Sequence, residues 1–312
     1  MSIVIFGSLN MDLVARVARL PAPGETLRGS DFFTAPGGKG ANQAAACALL
    51  GASVAMLGRV GEDVFGSVLR EGLKNFGVDV SGVISSPGPS GVAVIAVDDH
   101  AENSIVIITG ANGLLNAEDL ERLDAALPGA DSLLLQLEIP LEAVTAAARL
   151  GHAHGVRVIL DPAPAVPLPD ELYCLIDILT PNEIECAALV GFPLQTTTDA
   201  ERAAVILLKR GVKQIVIKMA EKGAYLHDGV IGEMLPGFQI EAVDTTAAGD
   251  AFNAALAVGL EKGKTLREAV RFANAAGALS TTKRGAQPSL PALAEVEEFL
   301  RAAELIPARK PV

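Results

Sequence analysis

The chain has 312 residues, half of them hydrophobic and 20% charged, and 25 Lys and Arg against 37 Asp and Glu leave a formal net charge of −12. That length fits one large α/β domain or two ordinary ones, and the composition excludes an extended disordered chain. The charge argues against nucleic acid or anionic membrane as the main partner, since an acidic surface repels both, and a phosphorylated small ligand would need a local device to bind its charge.

The amino terminus, MSIVIFGSLNMDLVARV, lacks a basic stretch and carries Asn10 and Asp12 where a secretory signal stays apolar. No later segment runs for about 18 apolar residues, so a cytoplasmic protein is expected. Short β-branched runs predict strands at 3–6, 54–58, 132–137, 156–161, 176–180 and 214–218. Segments 41–50, 65–76, 141–154 and 200–210 carry Ala, Leu, Glu and Arg at helical spacing between them. Strands alternating with crossover helices predict a doubly wound α/β sheet with helices on both faces. Residues 12–35 and 91–109 break that rhythm, and GVAVIAVDDHAENSIVIIT reads as two alternating strands around a polar turn. Together these insertions, about 12–36 and 91–109, predict a small antiparallel sheet, either a lid over the site or an edge extension of a single domain spanning 1–312. After Asp244 the pattern is helical, at 251–260, 266–280 and 292–303.

Cys47, Cys174 and Cys186 form no CxxC pair and lie in apolar sequence, so neither a zinc site nor a disulfide framework is expected. His152 and His154 fall on different helix faces and His100 and His227 in turns, which suits solvated side chains.

The segment VDTTAAGDAFNAALA carries the most chemistry: small residues run into a helix whose first N–H groups are unpaired and partly positive. Ala247, Ala248 and Gly249 would form an anion-binding turn, with Asp250 at its mouth able to accept a proton from an attacking hydroxyl; a plain helix cap accounts for the same Asp. A carboxylate there should stay ionised and act mainly by positioning. In APGGKGANQAAA, Gly38 and Gly40 flank Lys39 and let backbone bend around a polar ligand, while Asn42 supplies an amide; a glycine-rich loop before a helix is the plainer account. In GSLNMD, Asn10 and Asp12 end a strand and project to one side, as sugar hydroxyls require, or simply enter a turn. In TPNEIE, Asn182 and Glu185 are either an oxygen pair for Mg²⁺ held through water or a capping box.

In this order, GSLNMD, GGKGANQAAA, LQLEIP, DPAPA, TPNEIE, DTTAAGDAF and RGAQPS resemble the PfkB-type carbohydrate kinases, on their ribokinase branch, over essentially the whole chain. The resemblance implies a Rossmann-like α/β body, a β-sheet lid that doubles as a homodimer clasp, and ATP- and Mg²⁺-dependent phosphorylation of D-ribose at its 5-hydroxyl. It implies sugar contacts from Asn10, Met11, Asp12, Gly38, Lys39, Gly40, Ala41, Asn42 and Glu138, with Asp250 as the base and residues 247–249 as the anion hole. ATP would meet Asn182, Gly249, Asp250, Asn274 and the loop Lys218, Met219, Ala220, Glu221, Lys222 and Gly223, while Glu185 would order Mg²⁺. An activating K⁺ would be held by Asp244, Thr246, Ser280, Lys283, Gly285 and Ser289. The family loop resembles TLGxxG; here Lys218 replaces a hydroxyl and Ala220 a flexible Gly, which points to altered nucleotide contacts. The same chemistry on deoxyribose or another sugar, or a catalytically weak sugar-binding regulator, are the rival expectations.

Overall fold

The computed structural model describes residues 2–100 and 102–305. In chain order the strands are β1 (Ile3–Phe6), β2 (Asn10–Arg16), β3 (Asp31–Gly37), β4 (Val54–Gly61), β5 (Asp79–Ser86), β6 (Gly91–Val97), β7 (Asn103–Ile108), β8 (Ser132–Leu135), β9 (Arg157–Leu160), β10 (Ile178–Leu179), β11 (Gln214–Lys218), β12 (Gly223–His227) and β13 (Gly232–Pro236). The helices are α1 (Lys39–Leu49), α2 (Val64–Asn75), α3 (Ala117–Ala126), α4 (Leu141–Ala153), α5 (Asp170–Tyr173), α6 (Glu183–Val190), α7 (Thr197–Lys209), α8 (Ala248–Glu261), α9 (Leu266–Ser280) and α10 (Leu293–Leu305).

A nine-stranded sheet runs β13-β12-β11-β10-β9-β8-β1-β4-β5. It is parallel from β5 to β11, and β12 and β13 close one edge in antiparallel fashion. Its central strands are apolar runs because helices cover both faces. Ile3 and Ile5 of β1 enter one core with residues of α1, α8 and α9, while Val4 and Phe6 enter the other with residues of α4 and α7. The doubly wound expectation therefore holds, and its physical basis is this alternation.

Several boundaries differ from expectation. β4 extends to Gly61, the segment predicted at 176–180 shortens to Ile178–Leu179, and β5, β12 and β13 were not anticipated. β5 alternates buried and exposed residues, as an edge strand does, so its sequence lacks the apolar run that marks the centre. His227 closes β12 rather than lying in a turn. Cys47 and Cys186 are buried, but Cys174 is exposed, because the surroundings that looked apolar in sequence fold away from it.

The second sheet has the order β3-β2-β6-β7, with β2 and β6 parallel and the outer pairs antiparallel. It draws on the two segments singled out in the sequence, but the expected antiparallel sheet is mixed, because β2 and β6 come from separate insertions and pair in parallel, and β2 begins at Asn10 rather than Asp12. Asn112 pins the start of β2: it accepts from Leu9 N at 3.0 Å and donates to Leu9 O at 3.1 Å and Asn10 Oδ1 at 2.7 Å. The start of β6 passes against the same side chain, and only a glycine fits there, since a Cβ on Gly91 would collide with the Asn112 amide nitrogen.

Candidate active site

The carboxyl ends of β9 and β11 and the amino ends of α1, α6 and α8 border a cavity of about 580 Å³, whose lining includes Lys39, Asp161, Glu185, Lys218, Gly249 and Asp250. Open α/β sheets place ligands at this end because loops there are free to diverge and helix N–H groups point inward.

Ala247 caps α8 in the left-handed conformation, φ 60° and ψ 11°. That geometry costs an L-residue about 1 kcal/mol, and it turns the chain so that the first-turn amides of α8 face the cavity. Asp250, within that turn, is only 5% exposed. Its Oδ2 accepts from Asn42 Nδ2 at 2.9 Å and its Oδ1 from Gln43 Nε2 at 3.1 Å. Burial pushes the Asp250 carboxyl up to about 6, with Asp161 adding to the rise and Lys39 and the two amides opposing it. The expected ionised state at neutral pH agrees with this value, and what is corrected is the ordinary basicity. Desolvation outweighs the favourable helix terminus, and the group becomes a better proton acceptor while remaining mostly ionised at neutral pH.

The proposed sugar residues gather beside Asp250. Gly38 has φ 89°, and a Cβ there would lie 2.7 Å from Asn10 N, so the loop passes directly over the start of β2. Glu138 Oε2 accepts from Ser8 Oγ at 2.6 Å, Lys39 N at 3.1 Å and Asn10 Nδ2 at 3.2 Å. Burial raises the Asp12 carboxyl to about 7, helped by the charges of Glu138 and Asp250. Burial disfavours the Lys39 charge, but Asp250, Asp161, Glu138 and Glu185 outweigh it and raise its pKa. Asn42 Oδ1 is buried with no protein partner, an acceptor left for a hydroxyl donor. Gly40 N donates to Ser8 Oγ at 3.3 Å. Met11 and Ala41 bury their side chains in the core, which leaves only their backbone to face a sugar.

On the opposite side, Asn182 and Glu185 form the capping box of α6. Glu185 accepts from Asn182 N at 2.7 Å and Nδ2 at 2.9 Å, and Asn182 Oδ1 accepts from Glu185 N at 2.8 Å. Burial raises the Glu185 pKa while Lys218 opposes it. Each carboxylate oxygen accepts one of these bonds and keeps further acceptor capacity, and Glu185 lines the cavity, so the cap and a water-mediated cation are compatible. Ala220, Glu221, Gly223 and Asn274 also line the cavity. Met219 does not, since it is 1% exposed within the core, and Lys222 points away, 3.5 Å from Glu183 Oε1.

Asp244 accepts from Thr246 N at 2.9 Å and Oγ1 at 2.6 Å, and from Gly285 N at 2.9 Å. Burial works against its charge, but these bonds prevail and hold its pKa below the usual range. Ser280 Oγ donates to Gly277 O and Ser289 Oγ to Ala286 O, both at 2.8 Å, and Lys283 Nζ pairs with Glu295 at 2.8 Å. No group of three or more His, Cys, Asp or Glu side chains suited to a metal occurs among the described residues.

Two further residues reach the site without having been assigned a part in it from the sequence. Asp161 sits at the end of β9 and pairs with Lys218 Nζ at 2.8 Å, and Gln43 bridges Asp161 Oδ2 at 3.4 Å and Asp250 Oδ1 at 3.1 Å. The available signal was the motifs themselves, since Asp161 opens DPAPA at the end of a predicted strand and Gln43 follows Asn42 in GGKGANQAAA.

A two-faced α/β sheet, a small accessory sheet, and a buried acid at a helix amino terminus beside a polar pocket define a small-molecule kinase of the sugar-kinase type. Residues 1–293 match the pfkB family carbohydrate kinase, and the chain belongs to that family. It is 41% identical over 300 residues to a ribokinase of Haemophilus influenzae, covering 96% of this chain and 98% of the relative. It is 38% identical over 302 residues to a deoxyribokinase of Salmonella typhi, covering 96% and 99%. Among solved structures, an Arabidopsis thaliana ribokinase complexed with ribose and ATP superposes with a TM-score of 0.89 at 38% identity, covering 96% of this chain and 98% of that one.

Proposed function

We propose that the protein transfers the γ-phosphoryl group of ATP to the 5-hydroxyl of D-ribose. The observation that carries this reading is Asp250, buried at the amino end of α8 and held by Asn42 and Gln43. The ribose oxygen attacks the γ-phosphorus, its proton passes to an Asp250 oxygen, and the bond to the bridging oxygen breaks to release ADP. Asn42 and Gln43 orient the carboxylate, and the α8 amides at 247–249 stabilise charge on the transferring group. Asn10, Asp12, Lys39, Asn42 and Glu138 bind the sugar, with the backbone of Met11, Gly38, Gly40 and Ala41 completing that wall. Asn182, Asn274 and, from the 218–223 loop, Lys218, Ala220, Glu221 and Gly223 bind the nucleotide.

Mg²⁺ would be held through water by Glu185, where it would neutralise phosphate charge. K⁺ suits the oxygen set of Asp244, Thr246, Ser280, Gly285 and Ser289, and Lys283, whose amine is engaged by Glu295, would offer its carbonyl. Lys and Arg are scarce in such a scheme, which reconciles polyphosphate binding with a net charge of −12.

The small sheet serves as a lid and as the contact of a homodimer. One face carries Asn10 and Asp12 at its base and continues through Val14, Phe33, Ile95, Ile105 and Ile107, which share alternate positions across the register. Phe33, Ile105 and Ile107 are exposed, and an open apolar sheet face of this kind calls for a cover. A cytoplasmic location fits the need for ATP and for a reducing environment around three free cysteines. No helix among the described residues is long and apolar enough to cross a membrane.

The similarity to a deoxyribokinase favours one second reading, the same transfer to 2-deoxyribose. ADP release measured with ATP and ribose, 2-deoxyribose or fructose, with and without K⁺, distinguishes them. Ribose is expected to give the highest kcat/KM, with ribose 5-phosphate visible by ³¹P NMR; binding of ribose without turnover would sink the kinase reading.

A further inference from the structure

The Lys218–Asp161 pair is a buried ion pair between two strand ends that sequence motifs did not connect. Lys218 is fixed by its backbone, whose N–H donates to Pro181 O at 2.8 Å, and it bridges in parallel to Asn182, the cap of α6. Its side chain is 13% exposed and that of Asp161 3% exposed. Its ammonium lies 2.8 Å from Asp161 Oδ1 and 3.4 Å from where a Cβ on Gly249 would stand. The charge therefore hangs directly over the first turn of α8, where the backbone amides already favour an anion.

We propose that Lys218 is a catalytic residue of this chain: its ammonium, anchored by Asp161 above Gly249, contacts the phosphoryl group as it passes to the sugar. The proposal rests on the kinase reading above and deepens it. An ammonium has three N–H donors, and Asp161 takes one, leaving donors for phosphate oxygens. Asp161 is a positioning residue, which both aims the amine and removes the cost of burying it alone. Through Gln43 the same carboxylate touches the frame that holds Asp250, so the acceptor of the proton and the donor to the phosphoryl group share one support. The cleft supplies many carboxylates, including Asp161, Glu185 and Asp250, against the amines of Lys39 and Lys218. A triphosphate bound there needs the second amine close to its terminal charge.

A purely structural ion pair would stabilise the fold and leave nucleotide discrimination unchanged. The test compares wild type, Lys218→Met, Asp161→Asn and the double variant, which removes both charges together and leaves no unpaired buried ion. Binding of the methylene analogue of ATP and of ADP, each with Mg²⁺, is measured by calorimetry, and kcat by ADP release. Lys218→Met is expected to weaken the ATP analogue about tenfold or more, to change ADP less than about twofold, and to lower kcat about 10²-fold. Asp161→Asn, which keeps the amine, retains the preference for the ATP analogue over ADP. Should Lys218→Met fail to fold, the double variant carries the same expectation. Wild-type discrimination and wild-type kcat in whichever Lys218 variant folds would overturn the proposal, as would equal loss of the ATP analogue and ADP. Absence of ribose-dependent ADP release in the wild type would overturn the kinase reading alone, because the binding comparison reports on Lys218 without turnover.

Discussion

Asp250 illustrates how burial and neighbouring charge set the chemistry of one side chain. Its raised carboxyl binds a proton more tightly in the folded state than in the unfolded chain, so its contribution to stability is full below about pH 4 and is lost as pH rises through about 6. The shift from 3.8 to about 6 corresponds to about 3 kcal/mol. Asp250→Asn removes that titration: urea unfolding should show the variant gaining stability relative to wild type by about this amount between about pH 4 and pH 8, while kcat falls by about 10³-fold or more. Asp12, raised to about 7, titrates in the next interval. The acid limb of kcat/KM should accordingly fall between about pH 6 and 7, and Asp12→Asn should move it toward the lower value; a pH-independent rate across that range would contradict both assignments. The neighbouring motifs were legible as residue types, since Asp250 and Asn42 were singled out from their sequence context and Glu138 was implied by the family resemblance. The direction of the Asp250 shift was not, because it depends on Asp161 and on the water that folding excludes.

At the scale of the element, α8 starts from a strained residue. A positive φ at Ala247 places Cβ near its own backbone, and the conformation persists because Ala248 N donates to Thr245 O at 3.2 Å and the following helix packs fully into the core. Ala247→Gly should relieve the strain and raise stability by about 1 kcal/mol with activity retained. Ala247→Val, with a branched Cβ in the same conformation, should lower the melting temperature and abolish turnover. Thermal melts and ADP release on the two variants check the pair. The small-residue run 247–249 announced a turn into a helix, and the capping box at Asn182 and Glu185 was equally visible in the order of residues. By contrast, β5 and β13 were missed because they are edge strands without a continuous apolar run, β12 because its short run GAYLH opens on Gly and closes on His although it is buried between β11 and β13, and β10 has just two paired residues whose strand character comes from β9 and β11 on either side.

For the whole molecule, the proposed scheme has the accessory sheet join binding to association. Its base carries Asn10 and Asp12 of the proposed sugar site, and Phe33, Ile105 and Ile107 are exposed on it. Ile105→Asp should place a charge in the proposed subunit contact and convert a dimer to a monomer by light scattering. Because the same face leads to the sugar residues, KM for ribose should rise several-fold in that variant while far-UV circular dichroism stays unchanged. A wild-type protein that is monomeric at micromolar concentration would remove the clasp from the scheme.

The sequence by itself determined the strand-and-helix alternation, the two segments that leave the main sheet, and the order of motifs that marks a pfkB family carbohydrate kinase. The first two follow from local rules, apolar period and turn chemistry, and the third from resemblance to the family's motifs. Only the tertiary structure decided which of those residues meet. Asp161 and Lys218, 57 positions apart, form an ion pair because β9 and β11 flank β10 and run parallel to it, so that both carboxyl ends open on the same side of the sheet. Gln43 reaches Asp250 across 207 positions because α1 packs against α8. Proximity between strand ends and helix termini is a property of the packed sheet, and with it come the proton affinities and the placement of charge on which phosphoryl transfer depends.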